Sequence, residues 1–213
     1  MAKHAKTPAQ QKRNRYVAAV RARGASGHNL WFVSPPQDPP DPPLTLCSDL
    51  ELECFLFLEG EADLVSLDYS PLRLAGDEPR SRLRHYAIAT TLQGHLLDID
   101  FDPEGRGVSP PGRRVVNLAM LNAAKTRIHS WRAIVSAINR CRSHELNAVI
   151  FRCRHLVEEQ PCISIGALCN QVDEHSALVA GAIGTMLRAR ELESDVDQDL
   201  WGPATKVWGR THG

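Results

Sequence analysis

Four potential metal ligands stand close together in the second half of the chain, as Cys141-x-x-His144 and Cys153-x-His155. Two thiolates and two imidazoles are a ligand set that suits Zn²⁺. The apolar pattern predicts a helix over 145–159, however, and on a helix Cys153 and His155 lie about 200° apart. The six cysteines form no CxxC pair and stand mostly in apolar segments, which is typical of small buried side chains in a reducing compartment. We therefore expect no metal at these residues.

Carboxylates are the second group that could do chemistry. Asp98, Asp100 and Asp102 alternate with apolar residues, so they share one face of a predicted strand. Glu51 stands near the start of a predicted helix. Neither feature requires a catalytic role. Alternating acids keep the outer face of an edge strand hydrated and resist aggregation, and an acid in the first helical turn interacts favourably with the helix dipole.

The N-terminal segment is strongly basic, although the whole chain balances 25 Lys and Arg against 25 Asp and Glu. Its pattern is compatible with a helix from about Pro8 to Arg23 that ends at Gly24. Such a segment either binds a phosphate backbone with release of counterions or is a solvated tail. The candidate DNA-binding residues of this basic arm are Lys3, Lys6, Lys12, Arg13, Arg15, Arg21 and Arg23.

The elements that must position these groups follow a proline-rich spacer at residues 35–43, where fixed φ angles predict an extended chain. The periodicity of the apolar residues and the positions of turn-forming residues predict an α/β arrangement for the middle of the chain. Its expected elements are a helix from Ser48 or Asp49 to Gly60, strands at 64–67, 85–92 and 95–101, a helix at 115–128 and a buried strand at 131–136.

The last third of the chain has a different pattern, with three predicted helices followed by two short strands. The helices are expected at 146–159, 163–172 and 176–189, and the strands at 192–196 and 205–208. This order is that of a winged helix. The third helix carries no basic residue in its first three turns and precedes an acidic wing, so it favours contact with protein over reading of a DNA groove. The candidate partner-binding residues are Leu178, Ala182, Ile183 and Met186, whose alternative role is to fill the core of their own domain.

Composition excludes some classes of protein. No apolar run approaches the roughly 18 residues that a membrane helix needs, and the charged N-terminus does not resemble an export signal. We therefore expect a cytoplasmic protein without a membrane partner.

The order of these predicted helices and strands resembles that of the TnsA-like endonuclease subunits of heteromeric transposases. Cys47-Ser48-Asp49-Leu50-Glu51 followed by Phe55-Leu56-Phe57-Leu58 is similar to their opening helix, which carries a catalytic glutamate in a Ser-x-x-Glu spacing. The segment 64–71 is similar to their next strand, and His85-Tyr86 with the hairpin after it stands where the family has its Asp strand and its Glu/Gln-x-Lys strand. The resemblance covers about residues 28–208.

The resemblance implies a restriction-endonuclease-like site, in which carboxylates hold one or two Mg²⁺ ions and a lysine stabilises the developing charge. Glu51 matches the first carboxylate, and Glu53, two residues further along the chain, is the alternative. Asp98 can replace the usual Glu or Gln. Ala89 stands at the position where the family has its Asp, and Asp100 stands at the position of its Lys. Each loss typically costs a factor of roughly 10²–10³ in rate, so the resemblance predicts a vestigial centre.

Taken together, the sequence predicts an α/β protein with a basic arm and spacer at 1–45, a restriction-endonuclease-like domain at 46–137 and a winged-helix domain at 138–210. The resemblance implies an accessory subunit of a DNA transposition complex. We expect it to bind DNA and partner transposase or ATPase subunits, with little or no cleavage and no cofactor. Two alternatives stay open: an active Mg²⁺-dependent endonuclease that nicks transposon ends, and a winged-helix transcriptional regulator. Further arginines that could contact DNA are Arg80, Arg82, Arg84, Arg113 and Arg114.

Overall fold

The computed structural model describes residues 18, 29–37, 43–71, 84–105, 107 and 110–210. In this part the chain is mixed α/β, and none of its helices has the length and apolar composition to cross a membrane. The helices are α1 (Asp49–Glu59), α2 (Leu118–Ala123), α3 (Lys125–Arg140), α4 (Asn147–Glu159), α5 (Ile165–Gln171) and α6 (Ser176–Arg188). The strands are β1 (Trp31–Val33), β2 (Leu44–Leu46), β3 (Leu64–Asp68), β4 (Arg84–Thr91), β5 (Leu96–Phe101), β6 (Arg114–Val116), β7 (Ile163–Ser164), β8 (Leu192–Ser194) and β9 (Lys206–Gly209).

Helix α1 begins and ends at the predicted residues. Ser48 Oγ accepts a hydrogen bond from the backbone N–H of Glu51 at 3.1 Å, which satisfies one of the free donors of the first turn. Gly60 follows the last turn, and a Cβ at this position would lie only 2.6 Å from Cδ1 of Trp131. The absence of a side chain at Gly60 therefore allows the end of α1 to pack closely against α3.

The main sheet has the strand order β3-β4-β5-β6, and the predicted hairpin of β4 and β5 is confirmed. The register between these two strands shifts between His85 and Ala87. A bulge of this kind changes the alternation of side chains along the strand, and the successive residues Tyr86 and Ala87 are both fully buried. The Tyr86 hydroxyl donates to the carbonyl oxygen of Glu51 at 2.7 Å, so this face of the sheet packs against α1.

Two predictions between residues 114 and 140 are corrected by the structure. The helix predicted at 115–128 begins only at Leu118 and is divided between α2 and the start of α3, whereas Val115 and Val116 belong to β6, parallel to β5. The expected strand at Trp131–Ser136 is the middle of α3. Its aromatic and β-branched residues favour a strand locally, but the buried positions follow the period of one helix face. These buried residues of α3 are Ile128, Ser130, Trp131, Ile134, Val135 and Ile138.

The C-terminal segment has the predicted helices and strands, with one addition. A third strand, β7, precedes α5 and pairs with β9, so that the sheet order is β7-β9-β8 with both pairs antiparallel. Ser164 Oγ caps α5 by accepting from the N–H of Ala167 at 3.1 Å. Helix α6 is capped by His175, whose Nδ1 accepts from the N–H of Ala177 at 3.2 Å.

Helix α6 packs against α3. A Cβ at Gly181 would lie 2.5 Å from Sγ of Cys141, and a Cβ at Gly184 would lie 3.0 Å from Cγ1 of Ile138, so the two helices approach at small residues. Helix α3 also contacts α1. It continues through residues 137 and 138, where the sequence predicts a domain boundary. One helix therefore supports both the α/β part and the C-terminal segment.

Candidate functional site

Glu51, the first carboxylate that the resemblance implies, is buried at the start of α1 with 6% of its surface exposed. Its Oε2 accepts from the backbone N–H of Cys47 at 2.7 Å, and its Oε1 accepts from Nη1 of Arg84 at 3.1 Å. Together with the Ser48 cap, the first contact resembles a capping box. Both carboxylate oxygens therefore have partners that fix the start of α1 and join it to β4. Glu53, the alternative, is half-buried two residues further along the helix.

Asp98 and Asp100 lie on β5, and one arginine contacts both. Arg113 Nη1 donates to Oδ1 of Asp100 at 2.9 Å, and its Nη2 lies 3.6 Å from Oδ2 of Asp98. His85 Nε2 lies 3.2 Å from the other oxygen of Asp98. Asp100 is fully buried, and a buried carboxylate is stable only with such a partner. The Arg113 guanidinium supplies this positive charge.

The sheet register separates these carboxylates from Glu51. Directly paired residues of neighbouring antiparallel strands share one face of the sheet, and successive residues alternate. Arg84, the partner of Glu51, pairs with Phe101, whereas His85 pairs with Asp100. The Glu51–Arg84 ion pair therefore lies on one face of the sheet, and the carboxylates of β5 lie on the other.

Ala89 stands where the resemblance expects an aspartate. It is fully buried and lies in register between Leu67 of β3 and Leu97 of β5. An aspartate in these surroundings would be a desolvated charge without a partner. Over the whole described part of the chain, no group of three or more His, Cys, Asp or Glu side chains is arranged to hold a metal ion.

The alternative interpretation of the aspartates, an edge strand with a hydrated outer face, is wrong. β5 lies inside the sheet between β4 and β6, and Asp100 and Asp102 are buried. The Asp102 carboxylate accepts from the backbone N–H groups of Gly105 at 3.0 Å and Gly107 at 2.6 Å. Its role is therefore to hold the turn that follows β5.

The residues expected to bind a partner protein lie inside the chain. Ala182 and Ile183 of α6 are fully buried and Met186 is 1% exposed, while Leu178 is half-buried. The small residues of α6 do allow a second backbone to approach closely, but that backbone belongs to α3. This result corrects the assignment of a partner-binding surface and agrees with the alternative, in which these side chains fill the core.

The cysteine and histidine cluster is divided between the core and the surface. Cys153 is fully buried in α4, whereas the side chain of His155 is 64% exposed and its Nε2 lies 3.3 Å from Oε1 of Glu159. Cys141 Sγ donates to the carbonyl oxygen of Ala177 at 3.3 Å, where it fills space between α3 and α6.

Burial makes the thiols unequal, which gives a testable prediction. Cys54, Cys141 and Cys153 are buried and Cys162 is exposed; burial raises the pKa of Cys153 to about 11. Because the thiolate is the reactive form, a thiol reagent such as DTNB at pH 8 should modify Cys162 first and the buried three only after denaturation. A Cys162→Ser variant should lose the fastest phase. A fast phase that survives this substitution would contradict the prediction.

A buried polar cluster that the sequence analysis missed joins α1 and β3 to α6. Glu59 Oε1 accepts from the Tyr69 hydroxyl at 3.0 Å, and its Oε2 accepts from Nε of Arg188. Arg188 Nη1 donates to the carbonyl oxygen of Val65 at 2.9 Å. Glu59 is 1% and Arg188 2% exposed, so the two charges lie inside the core.

Arg190 extends this cluster just beyond the end of α6. Its φ of 64° is in the left-handed region, and it lies in the short connection between α6 and β8. Nε donates to the carbonyl oxygen of Leu64 at 2.9 Å, Nη2 donates to that of Glu61 at 2.6 Å, and the guanidinium lies 5.7 Å from the centre of the Trp131 ring. Burial, aided by the neighbouring Arg188, lowers the pKa of Arg190 to about 10.

The candidate DNA-binding residues are only partly described. Apart from residue 18, the basic arm lies outside the described residues, as do Arg80 and Arg82. Arg84 and Arg113 are bound to the carboxylates above, and Arg114 pairs with Glu61 and lies 3.4 Å from Asp63. The described arginines of this set are therefore engaged in internal ion pairs.

Comparison with protein-family models, with curated proteins and with solved structures finds no match for this chain.

Proposed function

We propose that the chain is a non-cleaving accessory subunit of a DNA transposition complex, TnsA-like in its organisation, which binds DNA and partner transposase or ATPase subunits. The observation that carries the proposal is the state of the carboxylates. Glu51 is neutralised by Arg84 on one face of the sheet, and Asp98 and Asp100 share Arg113 on the other. Metal-dependent cleavage needs carboxylate oxygens that converge on a Mg²⁺ ion. Ion pairs to arginine are what we expect in a scaffold that has lost this site.

The arrangement of the C-terminal segment also supports the proposal. Its order is α4, β7, α5, α6, β8 and β9, with β9 in the middle of the sheet, and we assign it to a winged helix. We assign the α/β part to a restriction-endonuclease-like core. This part departs from the expected order, because β6 precedes α2 and α3 and no strand follows them up to α4.

Two observations make the other candidate functions weaker. An active endonuclease would need the ion pairs of Glu51 and of Asp98 to open and their carboxylates to reach one site, although they lie on opposite faces of the sheet. A winged-helix regulator would read DNA with α6. Residues 181–184 in the centre of α6 are buried against the rest of the chain, and no basic residue precedes Arg188 in this helix. The proposal therefore assigns DNA contact to the basic arm.

A cleavage assay tests the absence of nuclease activity. Supercoiled plasmid carrying the transposon end should remain intact with the chain and Mg²⁺ or Mn²⁺, in the presence and absence of the cognate transposase. Nicking that Glu51→Ala abolishes and the neighbouring Glu53→Ala retains would contradict the proposal and support an active Mg²⁺-dependent endonuclease. Absence of transposase genes beside the gene for this chain would argue against a role in transposition.

Removal of the basic arm should weaken DNA binding. Deletion of residues 1–27 removes seven positive charges and keeps Asn29, whose Nδ2 donates to the Asp49 carboxylate at 3.0 Å. Each phosphate contact adds to a salt-dependent affinity, so the deletion should raise the Kd for duplex DNA at least about tenfold at low salt. Fluorescence anisotropy with a labelled duplex measures this change. Unchanged affinity would exclude the arm as the main DNA contact.

A further inference from the structure

Helix α3 carries a basic stripe, which we define as Lys125, His129, Arg132 and Arg140. The helix has no acidic residue between Lys125 and Arg140, and all four residues of the stripe are exposed. At about 100° per residue they fall within an arc of about 80°, opposite the buried apolar face. Between Lys125 and Arg140 the stripe is about 22 Å long at about 1.5 Å per residue.

The charges of the stripe are not neutralised within the described part of the chain. No ion pair is formed there by Lys125, Arg132 or Arg140, and the Arg132 guanidinium lies over the ring of Trp31 at 5.4 Å. Arg127, on another side of the same helix, pairs with Glu61 and lies 3.7 Å from Asp197 of the acidic wing. The ion pairs of α3 in the described part of the chain are therefore made by Arg127 and not by the stripe, and the acid beside Trp31, Asp49, accepts from the Trp31 Nε1 at 2.7 Å.

The chain that follows the basic arm is attached to the same helix. Asn139 Nδ2 donates to the carbonyl oxygen of Ser34 at 3.0 Å, and Nη2 of Arg142 donates to that of Pro35. With the stack of Arg132 on Trp31, these contacts hold residues 31–35 along α3. Residues 31–35 therefore lie close to the stripe.

We propose that the basic stripe of α3 binds the sugar-phosphate backbone of duplex DNA. Its length corresponds to about six base steps at about 3.4 Å along one strand. Its exposed cations, which form no ion pair within the described residues, complement a row of phosphates, and contacts to phosphates position DNA without reading its sequence. This inference rests on the proposed function, because it names a second part of the surface that holds the DNA.

The test compares two triple substitutions that remove equal charge. Lys125→Gln, Arg132→Gln and Arg140→Gln remove the stripe. Arg152→Gln, Arg154→Gln and Arg210→Gln remove arginines that already lie close to Glu174, Glu191 and Glu193. Anisotropy with a labelled duplex, measured over a range of salt concentrations, should show at least about tenfold weaker binding for the first variant. A plot of the logarithm of the binding constant against the logarithm of the salt concentration should become shallower, with its negative slope reduced in magnitude by about 2 to 3. The second variant should stay within about threefold of the parent.

The outcomes separate this inference from the proposed function. Because Arg132→Gln removes the stack on Trp31, the double variant Lys125→Gln, Arg140→Gln is measured as well, and far-UV circular dichroism checks the fold of each protein. A parent that binds duplex DNA, with stripe variants that bind equally well, would overturn the stripe and leave the proposed function in place. A parent that does not bind duplex DNA would overturn both. Single-stranded RNA that binds more tightly, and depends on the stripe, would overturn the choice of DNA.

Discussion

Replacing Arg188 with methionine should lower the free energy of unfolding by about 3–5 kcal/mol, the usual cost of removing one member of a buried ion pair. The substitution leaves the Glu59 carboxylate, 1% exposed, with the Tyr69 hydroxyl as its one side-chain partner among the described residues. It also removes the donor that reaches the carbonyl oxygen of Val65 at 2.9 Å. Because stable domains have only about 5–15 kcal/mol in total, we expect a large shift in the urea unfolding midpoint.

Arg154→Met is the matched control. Arg154 also pairs with a glutamate, Glu191, but the two side chains are 45% and 41% exposed. Exposed pairs contribute about 0–1 kcal/mol, so this variant should unfold close to the parent. Equal destabilisation by the two substitutions would contradict the role of burial.

A double variant separates the pair from the packing around it. Glu59→Leu with Arg188→Met replaces both charges by apolar groups, and such replacements are often neutral compared with breaking the pair. The double variant should therefore be more stable than Arg188→Met alone. The single variant Glu59→Leu completes the comparison: if its effect and that of Arg188→Met simply add in the double variant, Glu59 and Arg188 do not interact energetically.

The sequence predicts much of the fold because several elements have strong local signals. Ser48 and Gly60 mark the ends of α1, and the two strands predicted at 85–92 and 95–101, with a short turn between them, give the β4–β5 hairpin. These signals depend on residues that are close in the chain. The strand predicted at Trp131–Ser136 is wrong because a short apolar run with β-branched residues is compatible with a strand or a buried helix. Only contacts with α1 and α6 decide in favour of the helix.

The candidate site could be predicted less well, since it depends on which charges meet in space. The sequence identifies Glu51, Asp98 and Asp100 but not that Arg84 and Arg113 neutralise them, because those arginines stand 33 and 13 residues away from their partners. The Glu59–Arg188 pair is separated by 129 residues. Nothing in the spacing of Arg188 and Arg190 distinguishes them from exposed arginines at the end of a helix. The basic stripe of α3 was missed for another reason, because part of α3 was predicted as a strand.

A second large effect is expected at the contact of α3 with α6. Gly181→Ala places a Cβ 2.5 Å from Sγ and 2.9 Å from Cβ of Cys141, distances that require one helix to move. Overpacking of this kind typically costs about 1–3 kcal/mol. The cost here should lie near the upper end, because the Cys141 Cβ is fixed to the backbone of its chain segment. Urea unfolding followed by circular dichroism measures the change.

Gly202→Ala is the control for this prediction. The nearest atom to a Cβ at Gly202 is the carbonyl oxygen of Leu200 at 4.0 Å, and the backbone there is not in the left-handed region. This substitution should be neutral or slightly stabilising, because alanine has less conformational freedom than glycine in the unfolded chain. A Gly181→Ala variant as stable as Gly202→Ala would show that α3 and α6 are further apart than described.

Removing the sulfur should rescue part of the loss. Cys141→Ala combined with Gly181→Ala eliminates the shorter of the two contacts and leaves the Cβ contact at 2.9 Å, so the double variant should be more stable than Gly181→Ala alone without reaching the parent. The Gly181→Ala variant also tests whether α6 stays packed against α3. If the C-terminal segment detached from α3 in function, Gly181→Ala would weaken the docked state and expose the helix to partners. Because α3 packs against both α1 and α6, we expect Gly181→Ala to lower the stability of the folded chain as one unit, with a single unfolding transition.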